Sequence, residues 1–279
     1  MREVYAKIFI AIAATFFASV IPTSAGSKTW ANTYVGNDIS YPQCSRALPS
    51  SQSFGIVGVN GGLANTTNSC LSLQLKWAAA STGQTSQPKI QLYVNTANPG
   101  GLNTPSWPNS DNDLYGNTPT NPYGKCDGSN STACSWKYGW DRALEDVGQR
   151  FVPAAYQAGI STDSSTYKWW LDVETINTWQ SGQPDSTQKN AADLEGMTAY
   201  FNSLGASVGL YSTSSQWGQI AGTVATGSNL TAQDNWRPGA RNITSAKANC
   251  SLAPLTPGGK VTVTQYLANN QDYDYSCGQ

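Results

Sequence analysis

The sequence predicts an α/β protein, a single (β/α)8 TIM-type barrel, on three observations. Short apolar segments of strand length alternate with segments of helical period along nearly the whole chain. About eight such strands fit the roughly 250 residues that follow an N-terminal leader, the usual size of this architecture. One strand, Tyr167 to Glu174, ends in two carboxylates, and the C-terminal end of a barrel strand is where ligands bind. Some irregularity is expected, with loops pinned by disulfides. A doubly wound open sheet is the runner-up. No Gly-rich phosphate loop follows its first strand, which argues against a dinucleotide site.

The chain opens on a targeting pattern. Arg2 and Lys7 precede the apolar run from Ile8 to Val20, and Thr23-Ser24-Ala25 offers small residues for cleavage. This reads as a signal peptide over residues 1–25, leaving 26–279 as one barrel domain. The apolar run is short for a bilayer span and nothing later is longer, so a secreted, extracellular protein without a membrane span is expected.

Tyr34 to Tyr41 is the first expected strand, with Asp38 near its end, and Phe54 to Val59 the second, closed by Asn60-Gly61-Gly62. Leu71, Leu75 and Ala78 set a helix from about Ser69 to Ala80. Ile90 to Asn95 is the third strand. The Pro-, Asn- and Gly-rich stretch from Gly101 to Ser135 is long for a connection and reads as functional decoration. Ala143, Leu144, Val147 and Phe151 give a helix from Trp140 to Ala158, followed by the strand bearing Asp172 and Glu174. A helix over about Gln188 to Leu204 closes on Gly205, a helix-ending residue because it accepts the left-handed backbone. Ser207 to Tyr211 is the fifth strand, Ser214 to Ala221 a short helix, and Asn229 to Trp236 holds a sixth strand. Asn242 to Cys250 is read as a seventh, and Val261 to Leu267, which alternates well, as the last.

Composition narrows the chemistry. Net charge is −1 with no run of like charges, so neither nucleic acid nor an anionic membrane is indicated as a partner. Ten Trp and fourteen Tyr supply core, and in a chain of low charge they also suit stacking on sugar rings. The chain contains no histidine, which removes Ser-His-Asp and Cys-His catalysis and histidine metal sites together. No metal or other cofactor is expected, because the cysteine spacings are not CxxC. Acid–base work then falls to carboxylates or tyrosines. Six cysteines in an exported chain read as three disulfides. Fifteen connectivities remain open, and local pairing is favoured: Cys44–Cys70, Cys126–Cys134 and Cys250–Cys277.

Asp172 and Glu174 share one face of their strand because side chains alternate. Two acids aimed into one cleft, one protonated and one ionised, are what glycosidic cleavage needs. Acids also end strands as solvated punctuation, so the pair alone leaves both readings open.

Further segments carry a resemblance. Gly36-Asn37-Asp38-Ile39-Ser40, Trp170-Leu171-Asp172-Val173-Glu174, Gly209-Leu210-Tyr211-Ser212-Thr213, Gln265-Tyr266 and Asp272-Tyr273-Asp274 occur in an order that resembles glycoside hydrolase family 25, the secreted lysozymes or muramidases with a (β/α)8-type barrel. Tyr41-Pro42-Gln43-Cys44, Val59-Asn60-Gly61-Gly62 and the segment from Tyr93 to Gly100 bring the chain closer to exported bacterial proteins that are family-25-like. The resemblance implies Glu174 as general acid and then base, with Asp172 assisting the 2-acetamido group. Asp38 and Asp272, the latter just after the last strand, would complete an acidic ring. Tyr211 and Gln265 match substrate-side positions, and Tyr93, Asn95, Trp170 and Tyr41 are further candidate substrate contacts. The implied partner is a polysaccharide containing N-acetylhexosamine, of the peptidoglycan kind, met by a monomer. The runner-up is a glycan- or wall-binding barrel without catalysis. A structural or adhesive surface protein is third, on Ser, Thr and Asn richness alone.

Overall fold

The structure, a computed structural model, describes residues 34–101 and 104–278. The leader expected over residues 1–25 lies outside the described residues. Eight strands close into a barrel in chain order. They are β1 (Val35–Ile39), β2 (Gly55–Gly58), β3 (Ile90–Asn95), β4 (Lys168–Asp172), β5 (Ser207–Tyr211), β6 (Asp234–Ala240), β7 (Lys260–Ala268) and β8 (Gln271–Ser276). Neighbours from β1 to β7 pair in parallel, whereas β8 runs antiparallel to both β7 and β1.

Among the described residues six α-helices accompany the strands: α1 (Leu71–Ala79), α2 (Thr132–Glu145), α3 (Val152–Ala158), α4 (Ser186–Ser203), α5 (Ser214–Ile220) and α6 (Ile243–Asn249). No α-helix lies between β1 and β2 or between β7 and β8, so this closed α/β barrel departs from a regular (β/α)8 repeat. A π-helical stretch, Asp146–Phe151, joins α2 to α3. It precedes Pro153, whose ring cannot follow an ordinary α-turn without clashing with the carbonyl four residues back.

Four expected elements change. Asn242 to Cys250 is a helix, not a strand. Asn242 accepts from the Ser245 backbone N–H and the Ser245 side chain reciprocates, a capping box that starts α6. Val261 to Leu267 therefore falls within the seventh strand, and Gln271–Ser276 is the eighth. The sixth strand starts at Asp234, near the end of the window read for it. Helix α2 starts at Thr132, eight residues early, because the Ser131 side chain accepts the Cys134 N–H and caps it. The β7–β8 hairpin turns on Asn269 and Asn270, at φ 51° and 58°, the left-handed pair that a two-residue type I′ turn requires.

Alternation divides β4 between two cores. Trp169 and Leu171 pack outward under the helices, with Trp169 stacked on Phe201 at 4.7 Å between centroids. Trp170 points into the barrel with Phe54, Ile56, Tyr211, Trp236 and Val263. Glycine makes room for it: a Cβ on Gly209 would lie 2.3 Å from the Trp170 ring. Outside the barrel, α2 and α4 meet backbone to backbone at Gly139 and Gly196. Disulfides join Cys44 to Cys70, Cys126 to Cys134 and Cys250 to Cys277. They tie the segment after β1 to the start of α1, the long loop to the first turn of α2, and α6 to the residue following β8.

Candidate active site

The inward positions near the C-terminal ends of β1, β3, β4 and β5 carry Asp38, Tyr93, Asp172 and Tyr211, and Glu174 follows two residues after β4. Strand β8 enters from the opposite direction, so its N-terminal end delivers Asp272 to the same mouth and Asp274 one layer deeper. Asp272 is thus a strand residue rather than one beyond the last strand.

The backbone under the pair on β4 is tied from three sides. Thr96 Oγ donates to the Asp172 carbonyl at 2.6 Å, and Ser212 Oγ to the Val173 carbonyl at 2.7 Å. Trp179 Nε1 donates to the Glu174 carbonyl at 2.9 Å. The Glu174 carboxyl is partly exposed and held lightly, by Gln216 Nε2 on α5 at 3.5 Å. Asp172 is buried, and its Oδ1 receives no hydrogen bond. Removal from water, then repulsion from Glu174 and Asp38, raises its carboxyl well above the ordinary carboxylate range. The carboxyl that ends β4 and the one two residues beyond it thus sit in unlike surroundings, one dry and one reaching solvent.

Asp38 belongs to a chain of side chains crossing the barrel. Tyr211 donates to Gln265 Oε1 at 2.9 Å, and Gln265 Nε2 donates to Asp38 Oδ2 at 2.8 Å. From the other side Trp236 Nε1 donates to Asp274 Oδ1 at 2.8 Å. Oδ2 of the fully buried Asp274 would be orphaned as a carboxylate oxygen. Burial first, then the neighbouring Asp38 and Asp272, raise the Asp274 carboxyl well above the ordinary carboxylate range. Burial first, and then the neighbouring Asp272, push Asp38 up to about 8. Asp272 is itself raised by burial. The four acids named from sequence are therefore within electrostatic reach of one another: Asp38 with Asp272, and Asp172 with both Glu174 and Asp38.

The other candidates divide. Tyr93 is partly exposed beside Asp38, Asp172 and Asp272, with its ring over Gly58, where a Cβ would collide with it. Asn95 is committed to the loop after β2, donating to Asn60 Oδ1 at 3.1 Å and to the Gly61 carbonyl at 2.7 Å. Tyr41 is exposed and lies against Gly62. Trp170 does not reach the mouth: it is wholly buried below the acids, and its Nε1 donates to Gln91 at 2.8 Å. Its role as a substrate contact is withdrawn, because by strand alternation an inward Trp two residues before Asp172 fills the layer beneath it.

A family model described as lysozyme-like protein 1 matches residues 145–234, about a third of the chain, a span that includes Asp172, Glu174 and Tyr211. Among solved structures, a bacterial lysozyme from Streptomyces coelicolor is similar at 14% identity, covering 88% of this chain and 93% of that one, with a TM-score of 0.50. The chain resembles the lysozyme-like glycoside hydrolases. A muramidase from Trichobolus zukalii aligns at 13% identity over 88% of this chain and 94% of its own, with a TM-score of 0.48. At these identities the likeness to the bacterial lysozyme is one of fold. No curated protein matches the chain.

In this lysozyme-like barrel, residues passed over in the sequence support the acids from below and beside them. Asp274 stands in the quoted Asp272-Tyr273-Asp274 segment, and its period of two was the available signal. Gln216 and Trp236 gave none, since each acts through a partner distant in sequence. The acid cluster also sets a pH dependence. Asp38 is raised from 3.8 to about 8, so between about pH 4 and 8 the folded protein keeps a proton that the unfolded chain has released. Stability is then full below about pH 4 from this group and is lost as pH rises toward 8. Melting should occur at a higher temperature at pH 5 than at pH 8, with a shallower slope in Asp38→Asn. An identical slope in the variant would remove Asp38 from this account.

Proposed function

We propose that this protein is a secreted glycoside hydrolase that cleaves an N-acetylhexosamine-containing polysaccharide, muramidase-like and directed at peptidoglycan. In this reading residues 1–25 are a signal peptide and 26–279 the barrel domain, and the three disulfides fit an oxidising compartment. The observation that carries the proposal is the meeting of two carboxyls at one barrel mouth in unlike surroundings, Asp172 buried and Glu174 reaching solvent. The lysozyme-like family model spans both residues, which supports the same reading.

Glu174 donates a proton to the glycosidic oxygen as that bond breaks. The carbonyl oxygen of the substrate's 2-acetamido group attacks the anomeric carbon from the opposite face and closes an oxazolinium ring. In the bound complex the proton that the crowded acids retain stands on Glu174, so Asp172 is the carboxylate that accepts the acetamido N–H and offsets the positive charge as it develops. Water then attacks the anomeric carbon and loses its proton to Glu174 as the bond to the acetamido oxygen breaks, which reopens the ring to the acetamide, restores the acid and retains the anomeric configuration. Asp38 and Asp272, with Tyr211, Gln265 and Tyr93 around them, line the sugar site, Asn95 holds the loop after β2, and Tyr41 stands at its rim.

Incubation of the mature protein with purified bacterial walls is expected to release new reducing ends. Adsorption to walls with no release would replace the hydrolase by a glycan-binding barrel. Neither adsorption nor release would end both readings.

A further inference from the structure

Beside the acids lies a cavity of about 210 Å³, lined on one side by Asp38 and Asp272 and on the other by Gln43 and Arg46, with Asn269 and Asn270 of the β7–β8 turn at its edge. It is smaller than the roughly 300–1,000 Å³ of sites that hold a whole drug-sized ligand, so it suits one part of a longer chain. Arg46 is the only cation among its lining residues. Its side chain is exposed and makes no ion pair with any described residue. The two carboxyls of the cavity form no ion pair with it, and Asp38 Oδ2 accepts from Gln265 Nε2 instead.

The segment that carries Arg46 is anchored. Gln43 Oε1 accepts the Ser40 N–H at 2.9 Å, the Gln43 carbonyl accepts the Arg46 N–H at 3.1 Å, and Cys44 is bridged to Cys70. A guanidinium on a fixed base, unpaired and facing solvent, is suited to two-point recognition of a carboxylate, and anchoring lowers the ordering cost of that contact. We infer that Arg46 binds a carboxylate of the glycan, so that this end of the cleft selects an anionic glycan over a neutral one. The inference rests on the glycan-cleaving reading of Asp172 and Glu174. The carboxylate belongs either to a sugar substituent or to a peptide attached to the strand, and the two sources share this chemistry.

The test compares wild type, Arg46→Gln and Arg46→Lys on three probes: peptide-free peptidoglycan strands with free lactyl carboxylates, peptide-bearing peptidoglycan fragments, and neutral N-acetylchitooligosaccharides. Binding is measured calorimetrically and cleavage by reducing ends. Arg46→Gln should lower the preference for an anionic over a neutral probe by about tenfold, through Kd and KM rather than kcat, with partial recovery in Arg46→Lys. Loss on peptide-free strands assigns the carboxylate to the sugar; loss only on peptide-bearing fragments assigns it to the peptide. An equal loss on neutral and anionic probes, an unchanged preference, or wild type that binds no anionic probe would overturn the inference. Anionic binding that depends on Arg46 without any cleavage would leave the inference standing and remove the hydrolase reading.

Discussion

Glu174→Gln should lower turnover on bacterial walls by roughly two to four orders of magnitude, the range that loss of a general acid and base produces. The substitution keeps the shape of the side chain and removes only its ability to give and take a proton. The backbone around it should not move, since Trp179 Nε1 and the Asn177 N–H bind the Glu174 carbonyl, which is unchanged. Melting temperature and adsorption to walls should therefore match wild type while reducing-end release disappears, with the loss in kcat rather than KM. Asp172→Asn gives the contrasting case. It puts an amide into a dry site where Oδ1 already lacks a partner, so activity and stability should both respond. Wild-type turnover in Glu174→Gln would dismiss Glu174 from the chemistry. An equal collapse of melting temperature would mark it as a structural residue instead.

Much of this site was legible because strand alternation is a local rule. The division of Trp169 and Trp170 between outer and inner cores follows from alternation along β4, but the strand ends at Asp172 rather than at the expected Glu174, so alternation does not by itself orient Glu174. The last strands were harder. In Gln271–Ser276 the inward residues are acids and the outward ones tyrosines, so the apolar-inside rule points the wrong way, and the return direction is set by two left-handed asparagines. Asn242 to Cys250 misleads for another reason. Its helix is started by a side-chain capping box and buries only Ala246, leaving a weak apolar pattern to read. Asp274 was hidden by distance: its partners Trp236 and Asp38 lie 38 and 236 positions away, and burial gives it its character. Local periodicity thus fixes which way a side chain faces, whereas the protonation of the acids depends on what the closed barrel brings around them.

Gly196→Ala should destabilise the protein by about 3 kcal/mol or more, at or above the upper end of ordinary overpacking. A Cβ at this position would lie 1.9 Å from the Trp136 carbonyl oxygen, and one at Gly139 would lie 1.9 Å from the Asp193 carbonyl oxygen. Both obstacles are backbone, so no rotamer change relieves them and the helices must separate. Separation would open the contact among buried residues that include Trp136, Tyr138, Leu194 and Met197, replacing close packing with voids. At roughly 2–4 °C per kcal/mol for a domain of this size, the melting temperature should fall by about 6–12 °C. Gly218→Ala, where a Cβ meets nothing within 4 Å, is the control for inserting a methyl group into a helix, and it should be neutral or slightly stabilising. The consequence reaches the site because α2 leads into β4 through α3, and α4 follows the loop in which Trp179 ties down Glu174. Forcing the helices apart strains both approaches to the acid pair, so activity in Gly196→Ala should decline at temperatures where the fold is still intact. A melting temperature within about 1 °C of wild type would mean that the two helices do not meet at their glycines.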